Sequence, residues 1–303
     1  MRQSRTLLTV LLAFCMSACA TSGPAPESPS AASMPASAAS AGSAAHDQRY
    51  AVSWQQTATE YEALARMAFN GARARLEPII SAAKANQLRE FSAMPADELQ
   101  GADAGQPLAV IFDVDETLLD NSAYQARLIA DGGGFDDRSW NAWCEERRAR
   151  AIPGSVEFVR WLDGRGVRVF YVTNRKIETQ AATADNLRAL GFPLDADGAN
   201  LMTRDDAAGF GKDKVSRRVA IDREHRVVAN FGDNLIDFLA GTAGGNASRR
   251  AAIADYTSWW GERWFVLPNA IYGSWIDALS ADCGQDAADV GLRACIDRAA
   301  YRD

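Results

Sequence analysis

Asp113 and Asp115 stand one residue apart in VIFDVDETLLDNS, residues 110–122, directly after an apolar run. Two carboxylates that close at the mouth of a strand repel each other, so a folded chain keeps them where a use or a counter-charge compensates. One such use is a division of labour. One carboxylate attacks an electrophile as a nucleophile, while its neighbour, held protonated, serves as a general acid. Environments that push two carboxyl pKa values apart are a recurrent way of setting those roles. The competing reading is a calcium loop or a pair of solvated acids. Calcium loops need further oxygen ligands within a short span, and the run ahead of Asp113 is wholly apolar.

Other chemistry-bearing residues sit at similar places. Thr173 ends VRVFYVT, residues 167–173, and is followed by Asn174 and Arg175. Asp233 follows RVVANFG, residues 226–232, and Asp237 lies just beyond it in GDNLIDF. GKDKVSRR, residues 211–218, offers Lys214, with Lys212 as its rival, as an amine that could neutralise these acids. The runs that deliver Asp113, Thr173 and Asp233 are short, apolar and rich in β-branched and aromatic residues, as is RWFVLPN, residues 263–269. Helix-like stretches such as 177–190 separate them. Alternating strands and helices predict an α/β protein, a doubly wound parallel sheet with helices on both faces. Ligands in such sheets bind outside the carboxyl ends of the strands. Ahead of the sheet, Trp54, Ala58, Tyr61, Ala65, Ala68, Ala72 and Leu76 recur at helical spacing, with an interruption expected at Pro78 and a second helical stretch to about Phe91.

DVDET, residues 113–117, resembles the first motif of the haloacid dehalogenase (HAD)-like superfamily. The resemblance implies that Asp113 is a nucleophile that becomes phosphorylated. It implies that Asp115 is the acid/base, which also lends its backbone carbonyl to Mg²⁺. VTNR (172–175) resembles the second motif, with Thr173 donating to a phosphoryl oxygen, and GKDKVSRR the third, with Lys214 in the cationic role. GDNLIDF (232–238) resembles the fourth: Asp233 would bind the metal, and Asp237 would orient its waters or the lysine. Several carboxylates facing a phosphate demand a hard cation, and Mg²⁺ suits a few carboxylates with water and substrate oxygen. The metal set that the resemblance implies is Asp113, Asp115, Asp233 and Asp237.

The finer resemblance is to the class C bacterial acid phosphatases, the outer-membrane lipoprotein type that includes 5′-nucleotidases. It is carried by DVDETLLDNSAY (113–124), FDDRSWNAW (135–143), PGSVEF (153–158), VFYVTNR (169–175), NFGDNLIDF (230–238) and FVLPNAIYGSW (265–275), with SWQQTATEYEAL (53–64) matching the family's N-terminal helix. It implies a phosphomonoesterase acting on nucleoside 5′-monophosphates or aryl phosphates, best at acid pH. Ser274 stands where the pattern suggests an acid, and the tail from Ala281 has no counterpart. Substrate choice is expected from a helical cap near residues 121–150, because Asp113 and Thr173 are too far apart for one crossover helix. Tyr124, Trp140, Trp143, Asn174 and Tyr272 are candidates for touching substrate. The cap's aromatics could stack a base or aryl ring, or simply form the cap's own core. Two other readings stay open: a binding lipoprotein for haem or a nutrient, and a phosphotransferase.

The remaining features set the compartment. Arg2 and Arg5 precede Leu7–Ala18, which is shorter than the roughly 20 residues a membrane helix needs and reads as an export signal over residues 1–18. MSAC, residues 16–19, resembles a bacterial lipobox, which implies lipidation of Cys19 and anchoring in the cell envelope, at the outer membrane. Residues 19–48, rich in Ala, Ser and Pro, read as a flexible tether. The domain is expected over 49–280 and a tail over 281–303. In oxidising surroundings a disulfide between Cys283 and Cys295 is expected, leaving Cys144 a buried thiol. With only His46 and His225 and no Cys-x-x-Cys, a Cys/His zinc site is excluded. A net charge of −7 advertises no nucleic-acid-binding face.

Overall fold

The computed structural model describes residues 48–88, 91–101 and 105–284. The expected signal, Cys19, nearly all of the tether, and Cys295 lie outside the described residues. Cys283 is disulfide-bonded, and Cys144 is a buried free thiol.

Five parallel strands form the sheet: β1 (Leu108–Phe112), β4 (Arg168–Lys176), β5 (Leu201–Arg204), β6 (Arg226–Gly232) and β7 (Trp264–Val266). Their order is β5-β4-β1-β6-β7. The chain leaves β1 toward β4 and β5, then returns to the other side of β1 for β6 and β7. The order therefore reverses between β1 and β6, and the crevice at the carboxyl ends of those strands is where such sheets hold ligands.

β1 is buried on both faces, as its unbroken apolar run requires. Val110 and Phe112 point into one core with Phe158, Tyr171, Phe231 and Phe265. Ala109 and Ile111 point into the other with Phe170, Val172, Val227 and Trp264. The first core is closed by α2 (Thr59–Lys84), which follows the short α1 (Arg49–Thr57), by α5 (Ser155–Gly164) and by α6 (Gln180–Leu190). The second is closed by residues 93–94, α7 (Val215–Glu224) and the segment around Phe238 and Trp259.

Three expectations about elements are corrected. Pro78 does not interrupt the helix: α2 runs through it as one element, and Phe91 lies outside any helix. A proline inside a helix costs about 3 kcal/mol. Leu76, Ile79 and Ile80 around it are buried, each stabilising by about 1.5–3 kcal/mol, so packing outweighs the lost bond. β5 is a strand that the apolar-run reading missed, because LMTR is short and half polar. The strand expected over 263–269 shrinks to three residues, Trp264–Val266.

Between β1 and α5 the chain makes a small two-stranded antiparallel pair, β2 (Leu119–Asp120) with β3 (Arg150–Ala151). Two helices lie between those strands, α3 (Ser122–Asp131) and α4 (Asp137–Glu146). Asp136 caps α4 by accepting from the Arg138 and Ser139 N–H groups. The last helices are α8 (Asn246–Ala252) and α9 (Ser274–Cys283). No helix among the described residues is long and apolar enough to cross a membrane.

Candidate active site

Asp113 leaves β1 with its backbone N–H on the Phe231 carbonyl of β6 (2.9 Å), which fixes it at the sheet edge. Lys214 Nζ donates to Asp113 Oδ1 and also to Asp237 Oδ1 at 2.6 Å. Thr117 Oγ1 donates to Asp113 Oδ2 at 3.2 Å. Burial pushes Asp113 up to about 7; Lys214 opposes this, and Asp237 and Asp115 add to it. Burial also works against the Lys214 charge, but Asp113 and Asp237 outweigh it and hold the ammonium above its usual range.

Lys214 reaches this place through an unusual backbone. It is the N-cap of α7, with φ +62°. A left-handed non-glycine residue costs roughly 1–2 kcal/mol, so its surroundings must hold it. Arg217, fully buried, donates from Nη2 to the Gly211 carbonyl (2.7 Å) and to Asn174 Oδ1 (2.8 Å). Asn174 Nδ2 donates to the Lys212 carbonyl at 3.0 Å. The pair clamps the 211–214 turn to the end of β4. Asn174, expected to touch substrate, instead spends both ends of its amide positioning that turn. Lys212 is exposed and Lys214 is 3 % exposed, so Lys214 is the amine at the site.

Asp115 points elsewhere. Its Oδ1 accepts from Arg175 Nε (2.9 Å), Arg175 Nη2 (2.8 Å) and Asn121 Nδ2 (2.9 Å). Its Oδ2 accepts from Thr173 Oγ1 at 3.3 Å. Thr173 is fully buried, accepts from the Arg175 backbone N–H at 3.0 Å, and its hydroxyl faces Asp115. Of this residue set, the Asp115 side chain lies outside the acidic cluster that could ligate a metal, which leaves its carbonyl for that part.

That cluster is Asp113, Asp233 and Asp237, whose oxygens lie within 4.8 Å of one another. Asp233 is held by Asn269 Nδ2, 2.7 Å from its Oδ2. Asp237 Oδ2 accepts the Asn234 N–H at 2.9 Å, completing a capping box over the turn Leu235–Asp237. Gly232 is required here, because a Cβ on it would collide with the Asp237 side chain. Burial, then Asp113 and Asp237, raises Asp233 well above its ordinary range. When all three are ionised, three carboxylates against one ammonium leave a surplus of two negative charges in a buried crevice, which is why burial and mutual repulsion raise Asp113 and Asp233. An all-oxygen donor set with that surplus fits a hard divalent cation.

The expected substrate aromatics divide. Tyr124 and Trp143 are buried in the first core. The Tyr124 hydroxyl pairs with Ser139 Oγ at 2.9 Å, and Trp143 Nε1 donates to Asn121 Oδ1 at 2.8 Å. Both therefore build the helix pair α3–α4. Trp140 is part-exposed, edge-on to Tyr124, with the Arg175 guanidinium 5.5 Å from its ring centroid. Tyr272 is part-buried and its hydroxyl donates to Glu116.

Glu116 is one of the residues the sequence reading missed. It is fully buried with φ +56°, and its Oε1 accepts the Asn121 N–H at 2.8 Å. Burial, then Asp115 and Asp233, raises its carboxyl well above the usual range. It ties the 116–121 turn to the segment after β7. Arg175, Asn121, Arg217 and Asn269 were also missed as site residues. The one available signal was an arginine directly after the Thr-Asn pair at the end of a strand. Ser274, where an acid was expected, donates to Asn234 Oδ1 and accepts from Arg249 Nη1 at 2.6 Å, supporting the segment beside Asp233.

A parallel sheet whose switch point gathers an Asp-x-Asp pair, a buried lysine and two further aspartates is the arrangement of the HAD superfamily. The chain belongs to its subfamily IIIB, the acid phosphatases, whose family model matches residues 27–275. It is similar to the class C acid phosphatase of Bacillus anthracis, with 29% identity and a TM-score of 0.68 over 82% of this chain and 95% of that one. A structure of the Bacillus anthracis enzyme with tungstate bound is similar at 30% identity and the same TM-score, covering 82% of this chain and 96% of that one. Acid phosphatase 1 of Solanum lycopersicum is 32% identical over 167 residues, 54% of this chain and 57% of that protein. The stem 28 kDa glycoprotein of Glycine max is 23% identical over 167 residues, 54% of this chain and 58% of that protein. The chain thus spans little more than half the length of these curated relatives.

Proposed function

We propose that the protein is a divalent-metal-dependent phosphomonoesterase, an acid phosphatase acting through an aspartyl phosphate. The observation that carries this is the buried Lys214 bridging Asp113 and Asp237 beside Asp233 at the sheet's switch point. In the proposed mechanism an Asp113 oxygen attacks phosphorus while the bond to the leaving oxygen breaks. Asp115 gives that oxygen its proton. Water then attacks the phosphoryl group, its proton passes to Asp115, and the bond to Asp113 breaks. Lys214 compensates the charge on the phosphoryl oxygens as it moves between Asp113 and phosphate. Phosphoryl transfer rests mostly on such positioning and charge stabilisation.

Asp113, Asp233 and Asp237, with the Asp115 carbonyl, would hold the cation; we favour Mg²⁺. When bound it would neutralise the carboxylates and the phosphoryl oxygens. Nucleoside 5′-monophosphates and aryl phosphates are the proposed substrates, with the part-buried Tyr272 the aromatic face available to them. We also propose that a lipid on Cys19 tethers the enzyme to the bacterial cell envelope, at the outer membrane. A Cys19→Ala chain that still fractionates with membranes would contradict the anchor.

Hydrolysis of p-nitrophenyl phosphate with Mg²⁺, against the same assay with EDTA, tests the activity, and inorganic phosphate release separates hydrolysis from transfer to an added alcohol. Asp113→Asn is expected to be folded by circular dichroism and inert. A folded Asp113→Asn protein with near-normal turnover would sink the assignment.

A further inference from the structure

The acid/base carboxyl is held chiefly through one of its oxygens. Asp115 Oδ1 receives three N–H donors, two from Arg175 and one from Asn121, all within 2.9 Å. A carboxylate oxygen offers about two lone-pair sites, so Oδ1 has no room for a proton. Oδ2 has a single 3.3 Å contact, from the Thr173 hydroxyl. Arg175 is itself 1 % exposed and is fixed from the helix pair α3–α4. Trp140 lies against its guanidinium, and Trp143 Nε1 donates to Asn121 Oδ1, the same oxygen that accepts from Arg175 Nη2 at 3.1 Å. These contacts turn two tryptophans first considered as substrate platforms into supports for the acid.

Resting on the phosphatase reading above, we propose that Arg175 and Asn121 saturate Asp115 Oδ1, that the two cap tryptophans hold that pair in place, and that all four are positioning residues that aim Oδ2, the proton-carrying oxygen, at the leaving group. In the first step the phosphorus–oxygen bond to the leaving group breaks, its electron pair stays on that oxygen, and the Oδ2 proton moves to it. In the second step Oδ2 takes a proton from the attacking water as the Asp113–phosphorus bond breaks. Arg175 touches neither phosphorus nor leaving group; its effect runs through the orientation of Asp115.

The consequence is selective. An ester with a stable leaving anion needs little protonation, whereas an alkoxide cannot leave without it. Loss of aim therefore harms poor leaving groups and spares good ones. The experiment is kcat/KM, which reports the first bond cleavage, for p-nitrophenyl phosphate, phenyl phosphate and an alkyl phosphate. Wild type, Arg175→Met and Trp143→Phe are compared in the presence of Mg²⁺, each checked by circular dichroism. General acid catalysis is worth about 10²–10⁴-fold. Arg175→Met is expected to lose about 10²-fold or more on the alkyl ester and under about 5-fold on p-nitrophenyl phosphate. Trp143→Phe removes one donor at the far end of the network and is expected to lose about 3–10-fold on the alkyl ester alone. Equal losses on all esters would overturn the proposal, since a purely structural role lowers every rate alike. If Arg175→Met does not fold, Trp143→Phe decides: a selective loss supports the proposal, and a uniform loss or none overturns it. A wild-type protein inert on every ester would instead overturn the phosphatase reading itself.

Discussion

Neutralising Asp113 should stabilise the chelated protein, and only above acid pH. Its carboxyl is raised from 3.8 to about 7, chiefly by burial. The folded chain thus holds this proton more tightly than the unfolded chain does. The stability contributed by this group is fully present below about 4 and is lost as pH rises through about 7. A shift of that size costs the ionised folded state about 4 kcal/mol, at roughly 1.4 kcal/mol per pH unit. For a domain of this size that is about 8–16 °C in melting temperature. Asp113→Asn keeps the shape and an oxygen for Lys214 but cannot ionise. Melting curves in EDTA from pH 4 to 8 are therefore expected to coincide for wild type and variant near pH 4. They should diverge toward pH 8, with the variant the more stable by about that amount. Asp233 is raised by burial and then by the Asp113 charge, so Asp113→Asn also relieves Asp233, and the difference between the curves belongs to the coupled carboxyls together. Mg²⁺ should recover the wild type at pH 8 by compensating the carboxylates. Parallel curves across the whole range would refute the claim that Asp113 is buried among surplus negative charge.

Lys214→Met should cut kcat/KM on p-nitrophenyl phosphate by about 10³-fold or more, in line with the loss of a positioned charge donor, while Lys212→Ala should change it less than about 3-fold. Steady-state kinetics on both variants checks this, and a larger effect from Lys212 would reverse the assignment. Arg218 and Glu98 form a buried ion pair that also holds the Ile236 carbonyl beside Asp237. Glu98→Gln leaves a buried guanidinium without its anion and should cost about 3–5 kcal/mol in urea unfolding, whereas replacing both partners by apolar residues should cost far less. Equal costs for the single and double changes would argue against that account.

Some of this site lies open in the sequence because the chemistry sits where an apolar run stops. Asp113, Thr173 and Asp233 each follow or end such a run, and parallel strands put their carboxyl ends on one edge. What the pattern hides is second-hand support. Nothing local in TNR says that the Arg175 side chain returns to Asp115, because that contact depends on Asn121 and the α3–α4 pair. Periodicity likewise cannot tell an aromatic that faces a ligand from one that faces its own helix pair, and Tyr124 and Trp143 do the latter. β5 escaped because a four-residue edge strand carries few apolar positions. Pro78 misled because a rule about the isolated helix yields to tertiary burial.

The claim on which the mechanism depends is that phosphorus is transferred to Asp113. Wild-type protein mixed with substrate and Mg²⁺, quenched in acid within the first turnovers and mapped by peptide mass spectrometry, tests it directly. A phosphoryl group on the peptide containing Asp113, absent from Asp113→Asn, is the expected result. Rapid hydrolysis with no phosphorylated peptide at any quench time, or a phosphoryl group on another residue, would contradict it.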